Sequence, residues 1–228
     1  MSQESTPVEL SVDHAILRGQ QEHWTHTFAA HPDMYGREPS APARAATTLF
    51  QVDGVATLLE LGAGQGRDAL FFARQGFRVQ ALDIAAAATA AIDAEAAAAG
   101  LAAALTALRH DARDLLPFDA GTFDACYAHM LLCMALTTAE IERLVGEVRR
   151  VLRPGGLFVY TVRTTNDAHY GAGIARGDAM YEHGGFIVHF FSRALVDRLA
   201  AGWALLDMTD FEEGELPRRL LRVTMRRG

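Results

Sequence analysis

Cysteine is nearly absent from the chain: Cys126 and Cys133 are the only two in 228 residues. Both sit in one apolar stretch, where a small buried hydrophobe is the usual role, so neither a disulfide framework nor a redox pair is expected. Long apolar runs are missing too. Half of the residues are hydrophobic, yet no run approaches the roughly 18 residues of a membrane span, and no membrane partner is expected. The opening residues Met1-Ser2-Gln3-Glu4-Ser5 lack the basic and apolar regions of a signal peptide, which points to a cytoplasmic location. Positive charge is short, with a formal net charge of −7. Contact with a phosphate backbone relies on clustered cations, so no nucleic-acid partner is expected and a small-molecule substrate is favoured. A local exception is the group Arg218, Arg219, Arg222, Arg226 and Arg227. It is interleaved with Leu220, Leu221, Val223 and Met225 in a strand-like pattern and reads as a solvated strand face. His23, His26 and His31 lack a firm fourth partner, so no metal site is expected.

From Phe50 onward strands and helices alternate. The fold class is therefore α/β, a doubly wound, mostly parallel sheet with helices on both faces. Strands are expected at Ala56–Leu61, Arg78–Asp83, Leu105–Arg109 and Phe123–Tyr127. Gly76 marks a left-handed stop after the first helix, and Gly100 ends the alanine tract of residues 85–99, which reads as a helix. Thr137-x-x-Glu140 is a capping box, followed by Ile141, Leu144, Val145, Val148, Val151 and Leu152 at helical spacing. Arg153-Pro154-Gly155-Gly156 breaks that helix before the apolar strand Leu157–Val162. A long irregular insert, about 163–191, then precedes a helix near Ser192–Ala200. Strands at Trp203–Met208 and Arg219–Met225, joined by an acidic turn around Glu212-Glu213-Gly214, form a hairpin with an antiparallel last strand. Seven strands result. Residues 1–50 read as an N-terminal helical cap, with a helix over Ser11–Ala30 and bends at Pro32 and Pro39. Residues 51–228 form the main domain.

The densest signal lies between Leu58 and Ile84. A buried strand enters the turn Gly62-Ala63-Gly64-Gln65-Gly66, a helix begins, and a second strand ends on Asp83, suited to ribose hydroxyls. The dinucleotide fingerprint needs a third glycine where this chain has Arg67, which argues against an NAD-dependent oxidoreductase. The pattern Glu60-x-Gly62-x-Gly64-x-Gly66 instead resembles the first motif of class I methyltransferases, which use S-adenosylmethionine and release S-adenosylhomocysteine. The stretch from Gly64 to Val79 is similar to their small-molecule branch, which includes tellurite-resistance and thiopurine-type enzymes. That resemblance implies a Rossmann-like methyltransferase fold over about Ala56–Met225 and a methyl-transfer activity, with monomer and homodimer both open. A non-catalytic regulatory protein that binds the same cofactor is the alternative.

The resemblance implies roles residue by residue. Gly62, Gly64 and Gly66 pass along the methionine part of the cofactor, and Glu60 organises that loop and the amino end. Asp83 accepts from the ribose hydroxyls, Ile84 packs on the adenine, Asp111 accepts from the adenine amino group, and the Ala112 backbone meets a ring nitrogen. Ala128 lies in the loop facing the methyl end. Tyr35 and Trp24 are candidates to cover the sulfonium, since a cation is attracted to a ring face. Asp68 reads as a helix-dipole carboxylate. The glycine-rich insert suits a substrate lid, and His129 or His169 could act as a base for a protonated acceptor.

Overall fold

The computed structural model describes residues 12–31, 34–214 and 218–228. Pro32, Ser11 and the tip of the last hairpin lie outside the described residues. The sequence folds into helices α1 (His14–Ala30), α2 (Ala41–Val52), α3 (Arg67–Arg74), α4 (Ala86–Ala98), α5 (Thr138–Val151) and α6 (Arg193–Leu199). The strands are β1 (Thr57–Leu61), β2 (Arg78–Asp83), β3 (Leu105–Arg109), β4 (Phe123–His129), β5 (Leu152–Arg163), β6 (Ile174–Gly177), β7 (Met180–His183), β8 (Phe186–His189), β9 (Trp203–Glu213) and β10 (Arg218–Arg227).

Local chemistry places the helix boundaries. Asp13 caps α1 by accepting from the N–H groups of Ala15 and Ile16, Ser40 caps α2, and the Thr137–Glu140 box at α5 is fully formed. Gly76 and Gly100, at φ +93° and +72°, supply the left-handed residues that end α3 and α4.

Seven strands form one sheet in the order β3-β2-β1-β4-β5-β10-β9. The first five run parallel, while β10 is antiparallel to both of its neighbours. This is the Rossmann-like methyltransferase fold. Leu58 and Leu59, adjacent on β1, are both fully buried, as expected for strands covered on two faces. Leu59, Cys126 and Phe158 join the α5 side of the core, whereas Leu58, Tyr127 and Val159 join the side of α2 and α3. Both cysteines are buried and free. The strand order reverses between β1 and β4, so the crevice for a ligand opens beyond the carboxyl ends of those two strands.

Three elements differ from the sequence reading. The insert carries its own antiparallel sheet, β6-β7-β8, where an irregular segment was expected. β5 begins at Leu152, because Gly156 fits where a Cβ would lie 2.8 Å from the Arg153 carbonyl oxygen and 3.0 Å from that of Asp124. Glu212 and Glu213 belong to β9 rather than to a turn. The basic face of β10 is largely paired: Arg226 meets Asp53 at 2.7 Å and Arg222 meets Asp207 at 3.1 Å.

The N-terminal segment divides in two. α2 enters the main core through Ala43, Ala46 and Phe50, whereas α1 packs on α4 and β8. Gln20 on α1 donates to the Gly185 carbonyl at 3.0 Å and accepts from the Ile187 N–H at 3.2 Å. Trp24 packs between Phe28 and Phe186, with ring centroids 5.3 and 4.9 Å away. Cap and insert thus close on each other. Among the described residues no helix is long and apolar enough to cross a membrane.

Candidate functional site

The glycine loop is built by backbone geometry that side chains would forbid. Gly62, Gly64 and Gly66 have φ of +68°, +53° and +84°, the region that glycine enters at no steric cost. A Cβ on Gly66 would lie 2.5 Å from Ile92 Cγ1, and one on Gly62 would lie 2.9 Å from Leu131 Cβ.

Asp83 fastens this loop. Its Oδ2 accepts from the Gly64 N–H at 2.8 Å and its Oδ1 from the Ala85 N–H at 2.9 Å. A carboxylate has about four lone-pair sites, so each oxygen keeps one for a further donor. Burial raises its pKa, against the pull of these backbone donors. Glu60 is buried as well and its Oε2 has no hydrogen-bond partner. Burial pushes it well above the usual carboxylate range, and the neighbouring Asp68 and Asp83 push the same way. An orphaned acidic group beside a loop of open backbone suits a cationic ligand portion, because a positive charge there would satisfy the ionised form.

The loops after β3 and β4 complete the crevice. Asp111 is held by Arg113, whose NH1 lies 3.1 Å from both carboxylate oxygens. Ile84 and Ala112 are half-buried, and the Ile84 carbonyl accepts from Arg109 at 3.2 Å. Ala128 is fully buried in the core, so only its backbone could reach a ligand. After β4, Met130 adopts φ +62°, and its N–H meets Thr161 Oγ at 3.0 Å. Non-glycine residues are uncommon in that region and cluster at functional turns.

His129 stands at the centre of a polar cluster. Its Nδ1 lies 2.7 Å from Thr161 Oγ and its Nε2 lies 3.3 Å from an Arg67 nitrogen. A guanidinium only donates, so in this pairing Nε2 is the acceptor and the ring proton sits on Nδ1, directed at Thr161. Glu213 Oε2 is 3.5 Å from Nε2, and Glu213 Oε1 is 3.6 Å from Arg67. When Nε2 is protonated it can donate to Glu213 instead, and that hydrogen bond, foremost, with the His129, Arg67 and Arg218 charges, lowers the Glu213 pKa although burial opposes it. Arg67 also donates to the Tyr35 carbonyl at 3.0 Å and lies 5.5 Å from the centre of its ring. Tyr35 is therefore tied to the glycine-loop helix by the residue that replaces the third glycine.

His169 sits on the insert side. Its Nδ1 is 3.0 Å from Arg163 NH2, which leaves the ring proton on Nε2. Burial, then Arg163 and His183, lower its pKa. In this arrangement Nε2–H stands as a hydrogen-bond donor. Arg163 forms a buried pair with Asp167 at 2.5 Å.

Sequence reasoning missed several of these contacts. Asp68 accepts from the Ser40 N–H and hydroxyl, both at 2.7 Å, and Ser40 Oγ lies 3.1 Å from the Tyr127 hydroxyl. It ties α2 to α3 beyond any dipole effect. Glu213 was expected in a turn. Thr161, a small polar side chain in an otherwise apolar run, was the one missed residue with a local signal. Trp24 packs against Phe28 and Phe186, as an ordinary packing ring does. Among the described residues no group of three or more His, Cys, Asp or Glu side chains is placed to hold a metal ion.

Residues 58–156 match the family model described as a methyltransferase domain. No curated protein matches the sequence. Among solved structures, the domain is similar to a 1,6-didemethyltoxoflavin-N1-methyltransferase of Burkholderia thailandensis with bound 1,6-didemethyltoxoflavin and S-adenosylhomocysteine. The identity is 20%, the match covers 97% of this chain and 93% of that one, and the TM-score is 0.73. An N-methyltransferase of Bradyrhizobium japonicum, NodS, in complex with S-adenosylhomocysteine is 13% identical over 91% of this chain and 98% of that one, at a TM-score of 0.67. The [4+2]-cyclase SpnF is 18% identical over 96% of this chain and 99% of that one, at 0.68. At these identities the likeness shows the fold, and the chemistry must be argued from the site.

Proposed function

We propose that this protein is a methyltransferase that uses S-adenosylmethionine to methylate a small molecule through an ionisable O–H or N–H group, with His129 as general base. The observation that carries the reading is the pairing of Asp83, with lone pairs to spare, and the orphaned Glu60 on either side of the left-handed glycine loop. Together they supply acceptors for ribose hydroxyls and a partner for the methionyl ammonium. Gly62, Gly64, Gly66, Ile84, Asp111, Ala112 and the Ala128 backbone line the remaining cofactor path in this reading, and Tyr35 covers the sulfonium. The two neighbours with bound S-adenosylhomocysteine support the choice of cofactor, and the bound 1,6-didemethyltoxoflavin of the first supports a small-molecule acceptor. The likeness of residues 64–79 to tellurite-resistance and thiopurine-type enzymes supports the small-molecule part of this reading and not the choice of O–H or N–H over a soft anion.

When bound, S-adenosylmethionine supplies an activated methyl group whose C–S bond electrons stay on sulfur. The chain's own residues align the acceptor, exclude water and move a proton. Thr161 holds the tautomer in which Nε2 of His129 carries the lone pair. Arg67 withdraws onto Tyr35 and Glu213 as the acceptor enters, Nε2 takes the acceptor's proton, and Glu213 stabilises the resulting imidazolium. His169 keeps its proton on Nε2 and orients the acceptor as a donor.

Radiolabelled methyl transfer over phenols, amines, thiols and metalloid oxyanions tests this reading. Turnover is expected with an O–H or N–H acceptor, and His129→Gln should lower kcat by about 10²–10⁴-fold while S-adenosylhomocysteine still binds. Turnover confined to soft anions and indifferent to His129→Gln would remove the base. Cofactor binding without turnover in any class would return the regulatory alternative.

A further inference from the structure

One cation beside the site, Arg218, has no task in the proposed reaction. Arg218 opens β10, opposite Glu213 in the hairpin register. Asp167 Oδ2 accepts from the N–H of the next residue, Arg219, at 2.8 Å, which pins this strand end against the segment carrying His169. The His169 and His183 rings meet edge to face with centroids 4.4 Å apart. The backbone thus sets one wall side by side: His183 and His169 on the insert lie beside the strand end that carries Arg218, and Glu213, the cross-strand partner of Arg218, lies beside His129 and Arg67, which reaches Tyr35.

The charges along this wall do not cancel. Asp167 is taken by Arg163, two backbone N–H groups and burial. Glu213 is shared between Arg67 and His129. Among the described residues the Arg218 side chain makes no hydrogen bond or ion pair. Its field is nonetheless felt across the cleft: burial sets the main shift at Tyr35 and His169, and Arg218 acts on both as well as on Glu213. His169 adds an Nε2 proton that its Arg163 contact prevents from moving to the other nitrogen. A guanidinium and a fixed imidazole N–H on one wall make a fork for an oxyanion, and in a chain of net charge −7 such a positive spot is selective.

We infer that the acceptor carries a carboxylate or similar oxyanion, held by Arg218 and the His169 N–H so that its nucleophilic group meets His129. The inference rests on the methyltransferase reading above and adds the acceptor class to it. The anion stays bound through the reaction, and no bond to it forms or breaks.

The test titrates two matched pairs into protein saturated with S-adenosylhomocysteine: 4-hydroxybenzoate against 4-hydroxybenzamide, and imidazole-4-carboxylate against its amide. At least one carboxylate should bind about tenfold or more tightly than its amide, Arg218→Glu should abolish that preference, and Arg218→Lys should keep part of it. An unchanged S-adenosylhomocysteine affinity in Arg218→Glu shows that the variant is folded. Equal binding of carboxylate and amide in both pairs, no binding of any of the four, or a preference that survives Arg218→Glu overturns the anion site. Failure of S-adenosylhomocysteine to bind the wild-type chain overturns instead the reading beneath it.

Discussion

Replacing Asp83 by alanine separates a cofactor ligand from a loop fastener. In the free protein the carboxylate accepts from Gly64 at 2.8 Å and from Ala85 at 2.9 Å. Removing it leaves two backbone N–H groups without acceptors, each at a cost of about 1–3 kcal/mol if neither finds water. The carboxylate's own burial raises its pKa, so losing it also relieves a desolvation penalty and offsets part of that cost. A net loss of roughly 1–3 kcal/mol follows, and a domain of this size loses about 2–4 °C in Tm per kcal/mol. The effect on cofactor should be larger. Two charge-assisted hydrogen bonds to ribose hydroxyls contribute about 1.5–3 kcal/mol each, so affinity for S-adenosylhomocysteine should fall by about 10²–10⁴-fold. Scanning fluorimetry reads the first quantity, and calorimetry well below the variant's Tm reads the second. Asp68→Asn is the control: it disturbs a buried carboxylate with two 2.7 Å hydrogen bonds to Ser40, so it should lower Tm and leave affinity within about threefold. If Asp83→Ala loses Tm but changes affinity by no more than its control, the carboxylate is a turn-former and the ribose assignment fails.

Glu60→Gln should trade binding for stability. Burial holds the folded-state pKa of Glu60 well above the ordinary value, so between those two values the folded chain binds more protons than the unfolded one. Stability contributed by this group is therefore lost as pH rises through that window. Thermal scans of the free protein from about pH 5 to about 9 should show Glu60→Gln with the flatter profile and its largest gain on the alkaline side. Wild-type affinity for S-adenosylhomocysteine should rise with pH, because a cationic partner favours the ionised form, and the variant should lose that dependence. A wild-type affinity flat across the range would count against Glu60 as the ammonium partner. Gly66→Ala should cost about 2–5 kcal/mol, the sum of a left-handed alanine and an overpacked contact with Ile92. Gly76→Ala, at φ +93° with nothing within 4 Å, should cost only the backbone share of about 1–2 kcal/mol. Denaturant melts giving equal losses for both would show that Ile92 simply moves aside.

Much of the fold was legible because its signals are local. The Thr137–Glu140 box, the stops at Gly76 and Gly100 and the buried runs of β1, β2 and β5 depend on neighbours within a few residues. The glycine loop and Asp83 were readable for the same reason, since a backbone that must turn left-handed admits few residue types. What escaped was long-range. Ser40 meets Asp68 across 28 positions, and Glu213 reaches His129 only because β9 runs further than its apolar pattern suggests. β6, β7 and β8 are four residues each, too short for periodicity to register. Their sheet is held through tertiary contacts, with Met180 and Ile187 packing on Leu17 and Ala135. The Arg163 hydrogen bond that makes His169 Nε2 a donor is equally invisible in the sequence.

In the proposed function the loop from Gly62 to Gly66, with Glu60 and Asp83, holds an adenosyl sulfonium compound. The most direct measurement is a calorimetric titration of the wild-type chain with S-adenosylhomocysteine, followed by S-adenosylmethionine and NAD in competition. The expected result is one site per chain with a Kd of about 1–100 μM, shared by the first two ligands and untouched by NAD. Silence with both adenosyl compounds, or displacement of S-adenosylhomocysteine by NAD, would contradict it.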